Sequence, residues 1–271
     1  MIVVTGVTGN LGRVVVEDLL TRVPADQLAA VARTPEKAAD LTGRGVDVRA
    51  GDYDDPASLE AAFAGADVVL LVSSPDVTPG TRARQHGNAI TAAKAAGVGR
   101  IVYTSAIKAD SGPGFLTDHA ATEQLLRESG LTSTVLRNSF YSDFFVNPGV
   151  VKAAVEAGEV VSADGGQALN TATIRDFGLA AATVLTGSGH ENARYELRGP
   201  LWTYDELAAT ISEESGATVV HREIPLAEAG EGAFVAQLVG DGFFAEPSDD
   251  LEKLLGRPAT GIRELVRAAL T

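Results

Sequence analysis

The chain has 271 residues, 45% of them apolar and 21% charged, with 29 glycines, 11 prolines and no cysteine, which implies a packed globular protein and excludes disorder, a collagen-like fibre and a disulfide scaffold. The 36 acidic against 22 basic side chains leave a net charge of −14, so the molecular field repels nucleic-acid phosphates and anionic membrane surfaces, and neither is expected as a partner. Without thiolates, and with its four histidines dispersed at 86, 119, 190 and 221, the sequence offers no structural zinc site, and no metal is expected.

The chain opens on Met1-Ile2-Val3-Val4 with no basic leader ahead of it, and no apolar run reaches the ~20 residues that span a bilayer; a cytoplasmic protein is expected. A strand over 2–5 runs into Thr5-Gly6-Val7-Thr8-Gly9-Asn10-Leu11-Gly12, and a helix follows with Leu11, Val15 and Leu19 at four-residue spacing. In a strand–turn–helix context this GxxGxxG pattern suits a dinucleotide. Gly6 allows the tight turn, Gly9 lets backbone approach a pyrophosphate, and Gly12 lets helix and strand pack closely, with Thr8, Asn10 and Leu11 completing the loop. A plain strand-to-helix turn is the alternative.

A second strand over 27–32 ends at Arg33, where an acid would bind a free ribose 2′-hydroxyl and an arginine a 2′-phosphate. Arg33 and Lys37 therefore favour NADP(H), with NAD(H) possible; alternatively they form a solvated basic pair at a helix start. A third strand over 46–50 leads to Gly51-Asp52-Tyr53, where Asp52 can accept from an adenine amine and Tyr53 can cover its face, unless the aspartates only cap the helix opening at Pro56. A fourth strand over 67–72 ends at Ser73-Ser74, placed near the adenosine ribose. Strands over 100–104 and 132–136, with helices beginning near Pro35, Pro56, Thr81 and His119, complete six strands and five crossovers, which fit a doubly wound parallel α/β sheet.

Beyond about residue 140 the alternation fails. Aromatics cluster at Phe140, Tyr141, Phe144 and Phe145, a turn follows at Asp164-Gly165-Gly166, and an Ala-rich helix, one strand over 195–197 and several helices come after. The reading places a dinucleotide-binding domain over 1–145, with 171–190 packing on it, and a small lobe over 146–170 and 191–271. Tyr141, Phe144 and Phe145 can form a stacking wall for substrate or part of a core.

Taken together, Thr5–Gly12, Arg33, Gly51-Asp52, Val102-Tyr103-Thr104-Ser105, His119-Ala120-Ala121-Thr122-Glu123, Leu136-Arg137-Asn138-Ser139-Phe140-Tyr141 and Gly256-Arg257-Pro258 resemble one family along nearly the whole chain. It is that of the atypical short-chain dehydrogenases of the NmrA-like group, in the quinone oxidoreductase and triphenylmethane reductase branch. The resemblance implies a Rossmann-type domain with a small, mostly helical C-terminal lobe. It further implies NADPH bound in extended form, no flavin, and a small aromatic or quinonoid substrate stacked near the nicotinamide, with Asn138, Ser139 and Phe140 covering that ring. Ser105 stands where the wider superfamily keeps a substrate-orienting hydroxyl, here either that or a ribose contact. The superfamily's YxxxK pair is missing from the stretch at His119, which makes carbonyl reduction less suited than hydride addition to a quinone or a cationic dye. His119 then stands either as proton donor or as a structural imidazole. A tailoring enzyme of polycyclic aromatic metabolites, whose reduced product reacts with oxygen, and a dinucleotide sensor without turnover are the alternatives. The sequence leaves the oligomeric state open.

Overall fold

The computed structural model describes residues 1–114 and 116–271. Its strands are β1 (Ile2–Thr5), β2 (Leu28–Ala32), β3 (Asp47–Ala50), β4 (Val68–Leu71), β5 (Arg100–Ala106), β6 (Thr132–Asn138), β7 (Phe140–Tyr141), β8 (Glu159–Ser162), β9 (Leu169–Ala172), β10 (Arg194–Leu197), β11 (Leu201–Trp202) and β12 (Val220–Glu223). Its helices are α1 (Asn10–Arg22), α2 (Ala39–Thr42), α3 (Pro56–Phe63), α4 (Thr81–Ala95), α5 (Leu116–Ser129), α6 (Ser142–Phe145), α7 (Pro148–Ala157), α8 (Ile174–Thr186), α9 (Tyr204–Ser215), α10 (Ala233–Gly240), α11 (Asp250–Leu255) and α12 (Ile262–Leu270). The chain sorts into two units, Met1–Asn138 with Phe177–Leu197, and Ser139–Asp176 with Arg198–Thr271.

The first unit is built on a sheet of order β10-β6-β5-β4-β1-β2-β3, parallel at every pairing. Every residue of β2 and β4 is buried, as continuous apolar strands require when helices cover both faces. On one face Val3, Val31, Val69, Leu71 and Ile101 pack with Leu59 and Phe63 of α3, Ala89 and Ala93 of α4 and Leu126 of α5. On α8, a Cβ at Gly178 would run into the Val14 side chain, so that glycine lets α8 lie against α1. Asp55 starts α3 by accepting from Ala57 and Ser58 N–H, with Pro56 in the first turn. The strand order reverses between β1 and β4, which opens a crevice at their carboxyl ends.

Residues 194–197 were expected in the small lobe. They form instead the seventh strand of this sheet, Arg194 to Leu197 lying beside Val135 to Asn138 of β6.

The second unit holds a three-stranded sheet, β11-β9-β7, and the parallel pair β12-β8. Asn147 caps α7 ahead of Pro148, and Thr203 with Glu206 forms a complete capping box on α9. The Gly256-Arg257-Pro258 stretch has a structural role here. Gly256 ends α11 at φ 68°, and Arg257 donates to the buried Asp176 at 2.6 Å while Thr260 N–H donates to the same carboxylate at 2.8 Å.

Candidate functional site

The three glycines after β1 serve different ends. Gly6 has φ +65°, a conformation that favours glycine. At Gly12 a Cβ would run into the Gly6 carbonyl, so close packing of α1 on β1 needs glycine whatever is bound. Gly9, by contrast, has an ordinary extended backbone and would bring a Cβ no closer than 3.3 Å to any neighbour. It also starts α1 with no side-chain cap, and Thr8, Gly9 and Asn10 are exposed while Leu11 is buried. The loop therefore presents an exposed turn and an uncapped helix start, whose free N–H groups and dipole favour an anion.

At the neighbouring strand ends, Arg33 and Lys37 are exposed and form no ion pair among the described residues, and hydrogen bonds from Arg84 and then Gln85, with a smaller part from the Arg33 charge, hold Asp54 below the usual carboxylate range. Asp52 accepts from Asp54 N–H at 3.0 Å, and the capping of α3 falls to Asp55. Tyr53 is fixed by its hydroxyl, which lies 2.6 Å from both Thr5 Oγ1 and the Val72 carbonyl. Ser73 N–H donates to Thr104 Oγ1 and Ser74 N–H to His86 Nε2, each at 2.9 Å.

Ser105 is buried and donates to Glu123 Oε1 at 2.7 Å. Glu123 in turn is held bidentately by Arg137 at 2.9 and 2.8 Å, both side chains being almost fully buried. Glu196 and Asp110 approach the same guanidinium, and these carboxylates keep its proton more firmly than usual despite burial. His119 lies 2.7 Å from the Tyr103 hydroxyl at Nδ1 and accepts from Arg82 at Nε2, 3.0 Å. Arg82 has only donors, so the imidazole proton sits on Nδ1. Burial first, and then the Arg82 charge, push the His119 pKa down to about 3. A neutral imidazole with both nitrogens engaged is a poor acid at neutral pH, so the geometry favours the structural alternative over proton donation.

At the end of β6, Asn138 Oδ1 and Ser139 Oγ are buried without a hydrogen-bond partner. Buried polar atoms in that state are met by a ligand, a water or an ion, or store strain. Together with the exposed Gly9 and the uncapped α1, Asn138 fits the carboxyl-end site of a dinucleotide in the first unit.

Within the second unit a cavity of ≈ 510 Å³ is lined by Phe140, Phe144, Phe145, Val161, Ser162, Asp164, Tyr204, Val235 and Val239, among others. Phe140, expected over the nicotinamide, faces this cavity and packs on Phe244 at 4.6 Å. Phe144 and Phe145 line it as well. Tyr141 does not, its ring standing 5.8 Å from Phe144.

A family model for NAD(P)H-binding proteins matches residues 6–184. The chain belongs to this NAD(P)H-binding family. It is 40% identical to quinone oxidoreductase 2 of Escherichia coli over 98% of this chain and 97% of that one. It is 31% identical to the NAD(P)H azoreductase of Xenophilus azovorans, over 99% and 97%. The structure of the Citrobacter sp. triphenylmethane reductase complexed with NADP(H) superposes with a TM-score of 0.94 at 41% identity, covering 99% of both chains. These likenesses put this family member in the NmrA-like, atypical short-chain dehydrogenase group and make it an NAD(P)H-dependent oxidoreductase. No described helix of the oxidoreductase is long and apolar enough to cross a membrane.

Several residues of the oxidoreductase were not singled out from the sequence. Glu123 and Arg137 stand in the stretches that carried the family resemblance, yet nothing in their spacing pairs them. Asp164, His221 and Glu223 come within ligand distance of one another in the second unit. The signal for that cluster was the period of a strand at His221 and Glu223, two residues apart on β12.

Proposed function

We propose that this oxidoreductase takes NADPH in preference to NADH and reduces quinones or related conjugated aromatic compounds without a flavin. The exposed Arg33 after β2, without an ion pair among the described residues, carries the choice of cofactor, because a guanidinium attracts a 2′-phosphate and offers a free 2′-hydroxyl much less. The cofactor supplies a hydride. Gly6 to Gly12 and the start of α1 would hold its pyrophosphate, Asp52, Tyr53, Ser73 and Ser74 would flank its adenosine, and Ser105, Asn138 and Ser139 would face its nicotinamide end.

The substrate reading rests on the cavity walled by Phe140, Phe144, Phe145 and Tyr204. Flat aromatic walls hold a conjugated ring by stacking, and a held ring needs little more than alignment to accept a hydride. The names of the relatives, a quinone oxidoreductase, an azoreductase and a triphenylmethane reductase, agree in one chemistry, the reduction of conjugated acceptors. The test is anaerobic oxidation of NADPH and of NADH by the purified protein with a panel of quinones, an azo dye and a triarylmethane dye. Turnover with NADPH on the quinones is expected; tighter binding of NADH than of NADPH, or no turnover of any acceptor, would defeat the reading.

A further inference from the structure

The parallel pairing of β8 with β12 sets Ser162 opposite Glu223, with His221 two residues earlier on the same strand face. Four short contacts result. Ser162 Oγ lies 2.8 Å from Asp164 Oδ1, 3.0 Å from Glu223 Oε2 and 2.7 Å from His221 Nε2, and His221 Nδ1 lies 2.8 Å from Asp205 Oδ1. Asp164 and Ser162 line the aromatic cavity. Asp164 is 1% exposed, and its Oδ2 has no hydrogen-bond partner. At the other end the Asp205 side chain is 79% exposed.

The one Ser162 hydroxyl hydrogen faces two carboxyls at once, at Asp164 Oδ1 and Glu223 Oε2. Two carboxyls on one hydroxyl repel each other as anions, which favours the protonated form of the buried one, Asp164. The contacts from Asp164 through Ser162 and His221 to Asp205 form a hydrogen-bonded chain that runs from the cavity wall to solvent. Burial holds Asp164 above the usual carboxylate range, whereas at Glu223 burial, which raises it, is outweighed by hydrogen bonds from Gly165 N–H, Ser162 and Asp164 that bring it below. Further ionisable groups beside the cluster are Tyr204, stacked on His221 at 5.9 Å, Glu228 on the cavity wall, and the paired Arg222 and Glu159 on the same two strands.

The order Ser162, His221, Asp205 also matches a hydrolytic triad. Two features oppose that use. Asp164 and Glu223 lie within hydrogen-bond reach of the serine oxygen, where an oxyanion would be repelled, and the nearby Gly165 and Gly166 N–H groups already donate to those carboxylates.

We propose, on the footing of the functional reading above, that Asp164 is the acid that protonates a reduced quinone in the aromatic cavity, and that Ser162, His221 and Asp205 return a proton to it from solvent. A neutral quinone that gains a hydride becomes an anion. The Asp164 O–H bond breaks as the new O–H bond forms on the substrate oxygen, leaving a carboxylate. The Ser162 hydroxyl proton then passes to Asp164 while His221 Nε2–H passes to Ser162, and His221 regains its proton from water at Asp205. The sum is quinone, hydride and one proton to hydroquinone. A cationic triarylmethane dye needs the hydride alone, so the relay separates the two acceptor classes.

Two measurements on the full chain test this. Infrared difference spectra of the protein without cofactor should show a protonated-carboxyl stretch at neutral pH that is lost in Asp164→Asn. In turnover, the ratio of quinone to cationic-dye rates should fall about 100-fold in Asp164→Asn, the low end of general acid catalysis. The same ratio should fall in Ser162→Ala, which breaks the relay without changing charge, together with the solvent isotope effect on quinone reduction. An absent carboxyl band, or a ratio unchanged in both variants, overturns the relay whatever the overall activity. A wild-type protein that reduces neither acceptor refutes the functional reading instead, whatever the band shows.

Discussion

Acid should destabilise the first unit through two histidines. His86 donates from Nδ1 to Thr122 Oγ1, whose own proton goes to the Asp118 carbonyl, and accepts from Ser74 N–H at Nε2. It is therefore neutral, as His119 is. Burial first, and then the Arg82 charge, push both pKa values down to about 3 from an ordinary 6.5. Between those values the unfolded chain binds more protons than the folded one. The contribution of each histidine is thus complete above the unfolded pKa and is lost progressively as the pH falls towards the folded one. Each pH unit below the unfolded value removes ~1.4 kcal/mol per histidine, so going from about pH 7.5 to about pH 5 removes ~2 kcal/mol for each and ~4 for both. That is a large part of the ~5–15 kcal/mol typical of a folded domain. Carboxylates held low by partners, such as Asp54 and Asp67, titrate below this range. Asp164, held high, acts in the opposite sense, because its folded form takes up a proton first. Urea unfolding at the two pH values should show the loss in the wild type, roughly half of it in His119→Gln, and little in the double variant with His86→Gln. Equal losses in wild type and double variant would refute the reasoning.

Three further outcomes are expected. Arg33→Glu should reverse the cofactor preference, through loss of a charge-assisted contact worth ~1.5–3 kcal/mol, as read by calorimetric titration with NADPH and NADH; equal affinities in the wild type would remove Arg33 from the role. Gly9→Val should keep the fold, at a modest cost in stability because its Cβ would sit 3.3 Å from the Gly6 carbonyl, while abolishing cofactor binding, whereas Gly12→Ala should destabilise the fold strongly because its Cβ runs into that same carbonyl; a Gly12→Ala protein as stable as the wild type would contradict that account. Arg137→Leu leaves the buried Glu123 without its partner and should cost ~3–5 kcal/mol in urea unfolding, most of it recovered when Glu123→Leu is added; a neutral single variant would show that the pair is not what holds that region.

The parallel sheet was legible because its central strands, such as β2 and β4, are short continuous apolar runs that alternate with longer helical stretches, so the period changes along the chain. The glycine turn was legible because chemistry and packing ask for the same residues there. Residues 194–197 defeated the reading, since Arg194-Tyr195-Glu196-Leu197 alternates and carries no mark of the strand it pairs with. Strands of two to four residues in the second unit, such as β7 and β11, are set by tertiary pairing that no local pattern announces. His119 shows the limit at the site. Its residue type and place suggested an acid, but its pKa is decided by Arg82 and Tyr103, which lie at sequence distances of 37 and 16. The cluster around Ser162 was hidden for the same reason, its members coming from β8 and the turn after it, α9 and β12.

The division of the chain constrains how the protein can be made. The first unit comprises Met1–Asn138 and Phe177–Leu197, so its edge strand β10 is synthesised only after residues 139–176 of the other unit. A nascent chain emerging from the ribosome can pair its first six strands early, yet β6 must wait with an open edge until residue 197 is out. Chains halted by rare codons or truncated in that interval would expose a parallel edge next to the apolar Phe140–Phe145 stretch. Aggregation during expression should therefore concentrate in products that stop between residues 139 and 193, and neither unit should be obtainable by simple truncation of the gene.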